Sequence, residues 1–318
     1  MIELMNLAAV VIWYNPQKLE RCIENILTYS KFIPKVFIVD NSDSDNSKLA
    51  ELIPNSVYIT NRKNIGIAAA QNIGCDKAKA AGFDWVITMD QDSSFDDDIF
   101  EQYIKKAENY IVEDSLSTSF SIQMQDESQK ILPLSIIVKK KLKKFLVTFF
   151  GFTFPHPIEK APIDHPDRVY ASANIIKLSV WTEIGKFDES LFIDEVDFDF
   201  CIRLKLAGFK ITRFNTIYLN HKLGNRKFTI FSKCSYHTGK RLFFIIRNKL
   251  IENKRYRYAL KLEHDYQKEI FQYFKDYCIF DIKAPFNWLI FVKAFIAYKK
   301  FIKADPTYKN LKAKGLAK

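Results

Sequence analysis

Short apolar runs alternate with segments of helical periodicity over the first third of the chain. The runs are continuous, as in strands buried on both faces of a sheet, and comprise residues 7–14, 36–39, 57–59 and 85–89. Apolar residues at helical spacing follow the first run between Leu19 and Leu27, and helices are also predicted over residues 67–81 and 97–110. This rhythm predicts an α/β domain of the Rossmann-like, nucleotide-binding type with a mixed, mostly parallel sheet.

The middle of the chain is less regular. Residues 118–124 and 131–138 are predicted to extend the sheet, and the basic and Phe-rich residues 139–155 to form a mobile loop. A further strand is predicted over residues 169–177, and a helix begins near Glu195 and ends at Gly208. Two short strands, at residues 211–214 and 217–219, complete this part.

The last quarter of the chain changes character and becomes helical, aromatic and basic. The predicted helical segments are residues 241–247, 271–280 and 288–303. We therefore divide the chain into a domain at residues 1–229, with halves of about 1–115 and 116–229, and a helical region at residues 230–318.

Composition and charge narrow the class of protein. The 318 residues carry a net charge of +11, but residues 230–318 hold 20 Lys and Arg against 7 Asp and Glu, so the excess lies in the helical end. Such an end favours a polyanionic partner. The longest segments without charge have 14 residues, too few for a spanning helix, and the N-terminus lacks a basic region typical of a signal peptide. Five Cys without CxxC spacing agree with a reducing, cytoplasmic location.

Two carboxylates end the fourth apolar run. Asp90 and Asp92 flank Gln91, so on an extended chain both point to the same side. At the carboxyl end of a buried strand, such a pair suits a divalent cation that carries phosphate groups. The alternative is a helix start, in which Asp92 or the following Ser93 caps the next helix.

Two further polar segments lie at predicted strand or helix ends. Asp40 closes the second run, where it either accepts hydrogen bonds from a nucleotide or belongs to a turn. Arg62, Lys63, Asn64 and Gly66 precede the predicted helix at residues 67–81. Cations and backbone N–H groups at a helix N-terminus favour a phosphate, whereas the alternative is a glycine turn with close helix packing.

Four acids crowd six positions before a predicted helix: Asp194, Glu195, Asp197 and Asp199. Buried like charges raise the pKa of at least one of them, which suits a general base, whereas an acidic first turn also complements a helix dipole. Arg203 lies one turn after Asp199 and is expected to pair with it.

His221 follows the last predicted strand of the domain, where it could ligate a metal or be structural.

In their order along the chain, these motifs resemble family 2 glycosyltransferases of the GT-A fold, in particular rhamnosyltransferase-like enzymes. The resemblance covers about residues 7–250. It rests on Val39-Asp40-Asn41-Ser42, Asn64-Ile65-Gly66, Asn72-Ile73-Gly74, Met89-Asp90-Gln91-Asp92-Ser93, Gly185-Lys186-Phe187-Asp188-Glu189, Leu191 to Asp197, Cys201-Ile202-Arg203 and His221-Lys222-Leu223-Gly224.

The resemblance implies a site for a nucleotide-sugar donor. Asp40 would bind the base, Arg62 and Asn64 would lie along the pyrophosphate and sugar, and Asp90 would touch the ribose or metal. Gly66 belongs to the same donor site. The half at residues 116–229 would then be the acceptor side of the catalytic domain.

The resemblance also implies a metal and a base. Asp92 and His221 would ligate Mg²⁺ or Mn²⁺, and Asp197 would deprotonate the acceptor hydroxyl as general base. The residues expected to support this site are Asp194, Asp199 and Arg203.

The predicted function is inverting, metal-dependent transfer of a sugar, rhamnose foremost, to a saccharide or lipid-linked saccharide in bacterial surface polysaccharide synthesis. A UDP-hexose or a galactofuranose donor is the alternative within this class. With any of these donors, the predicted enzyme is a hexosyltransferase of EC 2.4 type. The rival classes are a nucleotidyltransferase and a nucleic-acid-binding protein. A nucleotidyltransferase usually has a Gly-rich basic loop after its first strand, whereas this chain has Trp13 to Pro16 at that place. The basic end of the chain contains no recognisable nucleic-acid-binding motif. We therefore expect no nucleic-acid partner, and the sequence leaves the oligomeric state open.

The basic helical end has two interpretations. Aromatic, basic helices without a span are typical of helices that lie on a membrane surface, which would make the protein peripheral on the inner face of the cell membrane. In the other interpretation, these helices pack on the catalytic core and their charges are solvated.

Overall fold

The computed structural model describes residues 5–16, 19–126, 161–221, 226–228, 233–235, 237, 239–259, 265–279 and 287–318. In the first part, the strands are β1 (Leu7–Trp13), β2 (Val36–Asp40), β3 (Ser56–Thr60), β4 (Trp85–Asp90) and β5 (Ser93–Ser94). The helices are α1 (Leu19–Ser30), α2 (Ser47–Ala50), α3 (Ile67–Ala80) and α4 (Ile99–Glu113). The four strands and three longer helices predicted from periodicity in this part are confirmed.

The middle part contributes strands β6 (Ser117–Asp126), β7 (Ile163–Asp164), β8 (Asn174–Lys177) and β9 (Lys210–His221). Its helices are α5 (Leu178–Glu183), the 3₁₀ turn Glu189–Leu191 and α6 (Val196–Leu206). A small hairpin of β10 (Arg226–Phe228) and β11 (Lys233–Ser235) follows. The last part is helical: α7 (Gly239–Tyr256), α8 (Tyr266–Phe274) with a π-helical extension Lys275–Ile279, α9 (Asn287–Ala304) and α10 (Pro306–Ala313).

The main sheet has the strand order β3-β2-β1-β4-β8-β6-β9-β5, with β7 paired to β9. Strands β3, β2, β1 and β4 run parallel, whereas β8 is antiparallel to both of its neighbours. Apolar cores lie on both faces of the sheet, which explains why β1 and β2 are apolar at successive positions. The mixed, mostly parallel α/β fold expected from the sequence is confirmed.

Helix α3 packs unusually close to the sheet. A Cβ atom built on Gly74 would lie 2.3 Å from Cγ1 of Val10 on β1, so this position has no room for a side chain. Gly66, directly before α3, has a φ of +90°, and a Cβ there would lie 2.7 Å from the Phe192 carbonyl oxygen. Both glycines therefore fix α3 against its surroundings.

Three of the predicted boundaries are wrong. Residues 211–214 and 217–219 belong to one strand, β9, which runs through a register shift opposite Ile122 and Gln123. Only the last four of residues 169–177 form a strand, because the backbone turns sharply at Ala173, where φ is +59°. The helix at residues 271–280 loses its α-helical pattern after Phe274. The predictions for residues 131–155 lie outside the described residues.

The helical end packs on the rest of the molecule. Ile251 of α7 and Tyr298 and Ile302 of α9 join the core that α3 and α6 form on one face of the sheet. Helices α7 and α9 also pack on each other through Leu242, Ile246 and Ala294. The division at residue 229 stays a prediction, since these parts share a core. None of the helices described is both long and apolar enough to cross a membrane.

Candidate active site

Three potential metal ligands meet at one edge of the sheet. Asp90 is the last residue of β4, and Asp92 lies directly before β5. Ser93 of β5 pairs with His221 of β9, which brings the imidazole to the two carboxylates. One ligand atom from each of Asp90, Asp92 and His221 lies within 4.8 Å of the others, and His221 Nδ1 is 3.6 Å from Asp92 Oδ1. We call these three residues the acidic cluster.

The helix-start alternative for Asp92 and Ser93 is wrong. These residues lead into and form the short strand β5, and α4 begins only at Ile99, after Asp98.

Two serine side chains contact residues of the acidic cluster and orient them. Ser93 Oγ lies 2.8 Å from His221 Nδ1 and 2.8 Å from Ser172 Oγ. Ser172 Oγ also accepts a hydrogen bond from the backbone N–H of Asp90 at 3.2 Å. This chain of contacts orients the imidazole ring and ties it to the end of β4, as outer hydrogen bonds do at metal sites.

The electrostatics of the acidic cluster favour a bound cation. Burial raises the pKa of Asp90 to about 6; the repulsion of Asp92 adds to this, whereas His221 acts in the opposite direction. A divalent cation would stabilise the ionised carboxylates. Two carboxylates and one imidazole are ligands that Mg²⁺ and Mn²⁺ accept, and the set therefore fits such an ion.

A cavity of about 540 Å³ opens beside the acidic cluster. Its walls come from β4 and β9, from the turn before α6, and from α7 and α8 of the helical end. Its ionisable lining residues include Asp90, His221, Asp197, Arg241, Lys249 and Glu269. The cavity thus brings Asp90 and His221 of the acidic cluster to one space with Asp197 and with two cations of the helical end, Arg241 and Lys249.

Asp197 lies in the first turn of α6 and borders this cavity. Its Oδ2 accepts a hydrogen bond from the Ala171 N–H at 3.2 Å, and its Oδ1 accepts one from the Phe198 N–H at 3.1 Å. Burial, followed by repulsion from Glu195, raises the pKa of Asp197 to about 7. A carboxylate with this pKa can accept a proton near neutral pH.

The turn before Asp197 is strained and held from the helical end. Asp194 and Glu195 have φ values of 61° and 64°, which non-glycine residues seldom adopt. The Asn248 side-chain amide of α7 donates to the carbonyl oxygens of Leu191 at 2.9 Å, Ile193 at 2.8 Å and Asp194 at 2.9 Å. Such strain persists because the surroundings over-determine the backbone.

The other residues of this acidic segment have different surroundings. Asp194 borders the cavity and accepts hydrogen bonds from Arg241 at 2.9 and 3.2 Å. Asp199 is fully buried and pairs with Arg203, as expected from their spacing. Asp199 and Arg203 do not line the cavity, so a supporting role for them at this site is indirect at most.

The predicted donor residues occupy the same sheet edge, because Trp13 of β1 pairs with Asp40 and Ile12 pairs with Asp90. Asp40 is fully buried and accepts from Ser42 N–H, Asn46 Nδ2 and Tyr58 Oη at 2.7 to 2.8 Å. These contacts make Asp40 the organiser of the loop after β2. Its direct contact with a base stays a prediction.

The loop before α3 leads to the cavity, but the lining residues of this part of the chain belong to the helix itself. The Arg62 side chain is 58% exposed and pairs with Asp45 at 2.7 Å, and Arg62 is not among the residues that line the cavity. Asn64 Oδ1 accepts from the Gly66 N–H at 2.9 Å and so shapes the turn. Gly66 directly precedes α3, whose Ile67 and Gln71 border the cavity. The donor roles of Arg62, Asn64 and Gly66 stay predictions.

Sequence reasoning missed several residues of the site. Ser93 was considered only as a helix cap and as the end of the Asp-x-Asp motif, and Ser172 was not connected with a metal site, because isolated serines are common in turns. Arg241, Lys249 and Asn248 belong to the basic helical end, which the sequence assigned to a surface or a packing role. An Arg and a Lys at a spacing of eight residues on one amphipathic helix is the only signal that could have pointed inward.

Comparisons with known proteins place this chain near glycosyltransferases. Residues 8–153 match the family model described as Glycosyl transferase family 2. The chain is 26% identical over 248 residues to the dTDP-rhamnosyl transferase RfbF of Shigella flexneri, covering 76% of this chain and 78% of that protein. It is 25% identical over 238 residues to the rhamnosyltransferase WbbL of Escherichia coli K12, covering 70% and 86%.

Solved structures show the same fold. GalNAc-T7, crystallised with UDP, GalNAc and Mn²⁺, matches with a TM-score of 0.53 at 15% identity. TarS of S. aureus matches with a TM-score of 0.52 at 16% identity. These matches cover 88% and 91% of this chain, which spans only 57% and 49% of the respective structures.

The family and both relatives name sugar transfer, in agreement with the prediction from the motifs and against the rival classes of nucleotidyltransferase and nucleic-acid-binding protein. The fold and the glycosyltransferase class predicted from the sequence are confirmed. The matched domain, the relatives and the fold together show that this chain is a glycosyltransferase with the GT-A fold, similar to family 2 glycosyltransferases over residues 8–153 and to two rhamnosyltransferases.

Proposed function

We propose that this enzyme transfers rhamnose from dTDP-rhamnose, with inversion and with a divalent metal, to a saccharide or lipid-linked saccharide in bacterial surface polysaccharide synthesis. The observation that carries the proposal is the cavity that Asp90 and His221 of the acidic cluster line together with Asp197. The similarity to a dTDP-rhamnosyl transferase supports the choice of donor. We place the enzyme in the cytoplasm, where it would meet nucleotide sugars.

The metal ligands and Asp197 have different roles in the proposed reaction. A divalent cation bound by Asp90, Asp92 and His221 would neutralise the negative charge that develops on the diphosphate leaving group. Asp197 accepts the proton of the acceptor hydroxyl while the oxygen attacks the anomeric carbon. Attack from the side opposite the diphosphate inverts the configuration of that carbon. Burial near Glu195 sets the pKa of Asp197 at about 7, where a general base works best at neutral pH.

Arg241 is better placed than Arg62 to assist the diphosphate. Arg241 borders the cavity, and the charges of Arg241 and Asp90 influence the pKa values of each other. Arg62 is held at the surface by Asp45. We therefore assign to Arg241, with its planar guanidinium and its present partner Asp194, the contact with the donor phosphates.

Calorimetry with dTDP and UDP, each with and without Mn²⁺, tests the donor site. Asp92→Ala should weaken metal-dependent binding roughly tenfold or more, because one of three ligands is lost. Asp97→Ala is the matched control, since Asp97 is also exposed and is not part of the acidic cluster. Preferred binding of dTDP supports a rhamnosyl donor, and preferred binding of UDP supports the alternative of a UDP-sugar. Equal binding by Asp92→Ala and the wild type would contradict the metal site.

The arginine assignment is tested by two matched substitutions. Arg241→Gln should weaken binding of dTDP by roughly tenfold, since a hydrogen bond to a charged group is lost. Arg62→Gln removes the same charge at the surface and should leave binding unchanged. The reverse order of effects would return the phosphate contact to Arg62.

A further inference from the structure

Two helices of the helical end leave large apolar side chains in solvent. The exposed fractions of Phe271 and Ile296 are both 62%. Phe274 of α8 contacts Phe291 of α9 with ring centroids 5.4 Å apart, so the exposed residues of both helices are neighbours. We call the following exposed residues the apolar face: Phe271, Phe274, Trp288, Val292, Phe295 and Ile296.

On helix α9, exposed lysines follow the residues of the apolar face. Trp288, Val292, Phe295 and Ile296 are spaced by three or four residues, as expected for one side of a helix. The same exposed side continues toward the C-terminal end of α9 with Lys299, Lys300 and Lys303. The Lys299 ammonium also lies 5.3 Å from the ring centroid of Phe295, so cation and apolar surface adjoin.

No acid occurs in the 18 residues of α9, and residues 230–318 have an excess of positive charge. An apolar, aromatic face bordered only by lysines on its own helix differs from a typical protein–protein interface, where Lys is depleted. The same combination is typical of helices that lie in the interface of an anionic membrane.

The apolar face lies behind the wall of the cavity. Glu269 and Tyr273 of α8 line the cavity. Phe271 lies two positions from each of them, which on an α-helix corresponds to about 200° of rotation. Phe271 therefore projects from the opposite side of the helix whose other side borders the cavity.

We propose that the apolar face and the lysines of α9 dock this enzyme on an anionic lipid bilayer. Docking would hold the cavity close to the bilayer, where the hydroxyl of a lipid-linked acceptor is found. The presence of a lipid-linked acceptor rests on the proposed function, whereas the docking itself does not.

Flotation of the full-length chain with vesicles of phosphatidylcholine, with and without phosphatidylglycerol, tests the proposal. We expect the wild type to float with anionic vesicles and to remain in the bottom fraction with neutral ones. Trp288→Ser/Ile296→Ser should lose flotation, whereas Leu52→Ser/Val112→Ser, at exposed apolar positions elsewhere, should float like the wild type. Equal flotation of both double variants would overturn the proposal.

The lysines are tested separately. Lys299→Gln/Lys300→Gln/Lys303→Gln should weaken binding to anionic vesicles by roughly 100-fold, since each basic residue near the surface contributes about fivefold. Lys48→Gln/Lys77→Gln/Lys105→Gln removes the same charge from other exposed positions and should change binding far less. Equal losses in both triple variants would show that net charge alone acts and would overturn the role of α9.

Two further measurements distinguish a membrane-docking surface from a dimer interface and from the donor site. If the apolar face joins two copies of the chain, sedimentation will give a dimer that Trp288→Ser/Ile296→Ser converts to a monomer, and vesicles will not bind; this overturns the proposal. Binding of dTDP by the same variant, measured by calorimetry, should equal that of the wild type. A chain that floats but binds no nucleotide would refute the proposed function and keep the docking surface.

Discussion

Asp197 and Asp199 lie two positions apart on one helix, yet their surroundings are opposite. Asp197 borders the cavity, where it accepts hydrogen bonds from two backbone N–H groups. Asp199 is fully buried, with Arg203, Arg255 and Tyr256 as partners at 2.6 to 3.0 Å. Two positions on a helix correspond to about 200°, so the side chains point to opposite sides.

The pKa values of the two carboxyls diverge for this reason. Burial acts on both and favours the neutral form. At Asp199 the charges of Arg203 and Arg255 outweigh burial and hold its pKa below the ordinary value. At Asp197 the neighbouring charge is Glu195, which adds to burial and raises its pKa to about 7. The partners of an acid, more than its burial, therefore decide whether it can act as a base.

Asp199→Asn is expected to give the largest effect. It leaves the buried Arg203 and Arg255 without a counter-charge on this side, which should lower the free energy of unfolding by roughly 3–5 kcal/mol. Urea unfolding followed by circular dichroism measures this. Asp197→Asn is the matched control and should not destabilise the protein at pH 7. If both variants unfold alike, the contrast between the two acids is wrong.

Asp197→Asn should instead abolish most of the activity. Loss of a general base lowers kcat by roughly 10²–10⁴-fold, while donor binding at the acidic cluster persists. A sugar-transfer assay with the donor identified by calorimetry gives kcat, and calorimetry with the same nucleotide gives the Kd. A kcat within tenfold of the wild type would exclude Asp197 as the base.

The pH dependence should separate activity from stability. The ionised form of Asp197 is lost as the pH falls through about 7, so kcat/KM should drop about tenfold per pH unit below that value. The pKa of Asp199 is lowered in the folded protein, in contrast to that of Asp197. Ionised Asp199 therefore stabilises the fold fully above its pKa in the unfolded chain, which is about 4, and this stabilisation is lost only at more acidic pH. At pH 6 the enzyme should therefore be less active but no less thermally stable. A parallel loss of Tm and activity would contradict this.

Glu195→Gln should have the smallest effect. Burial, the main cause of the raised pKa of Asp197, remains, but the repulsion of Glu195 is removed. The acidic limb of the pH profile of kcat/KM should shift to lower pH. Glu195→Asp keeps the charge and should leave the limb nearly unchanged. A shift to higher pH in Glu195→Gln would contradict this, because the loss of Glu195 also leaves Lys249, its partner at 2.6 Å, with less counter-charge, and a cation favours ionised Asp197.

The parallel part of the fold followed from local pattern. Apolar runs such as residues 36–39 and 85–89 are typical of strands covered on both faces, and the structure covers them on both. The antiparallel part was less predictable. The turn at Ala173 and the register shift of β9 depend on strands that lie far apart in the sequence.

The order of residues along the chain was enough to predict Asp90, Asp92 and His221 as ligands and one of four acids near residue 197 as a base. Only the tertiary structure placed Asp197 at the cavity and Asp199 in the core, because Arg255, the partner that distinguishes them, comes from a helix 56 residues away. The tertiary structure also places Arg241 and Lys249 of the helical end at the cavity. Periodicity describes a residue's own helix, whereas charge and burial depend on what packs against it.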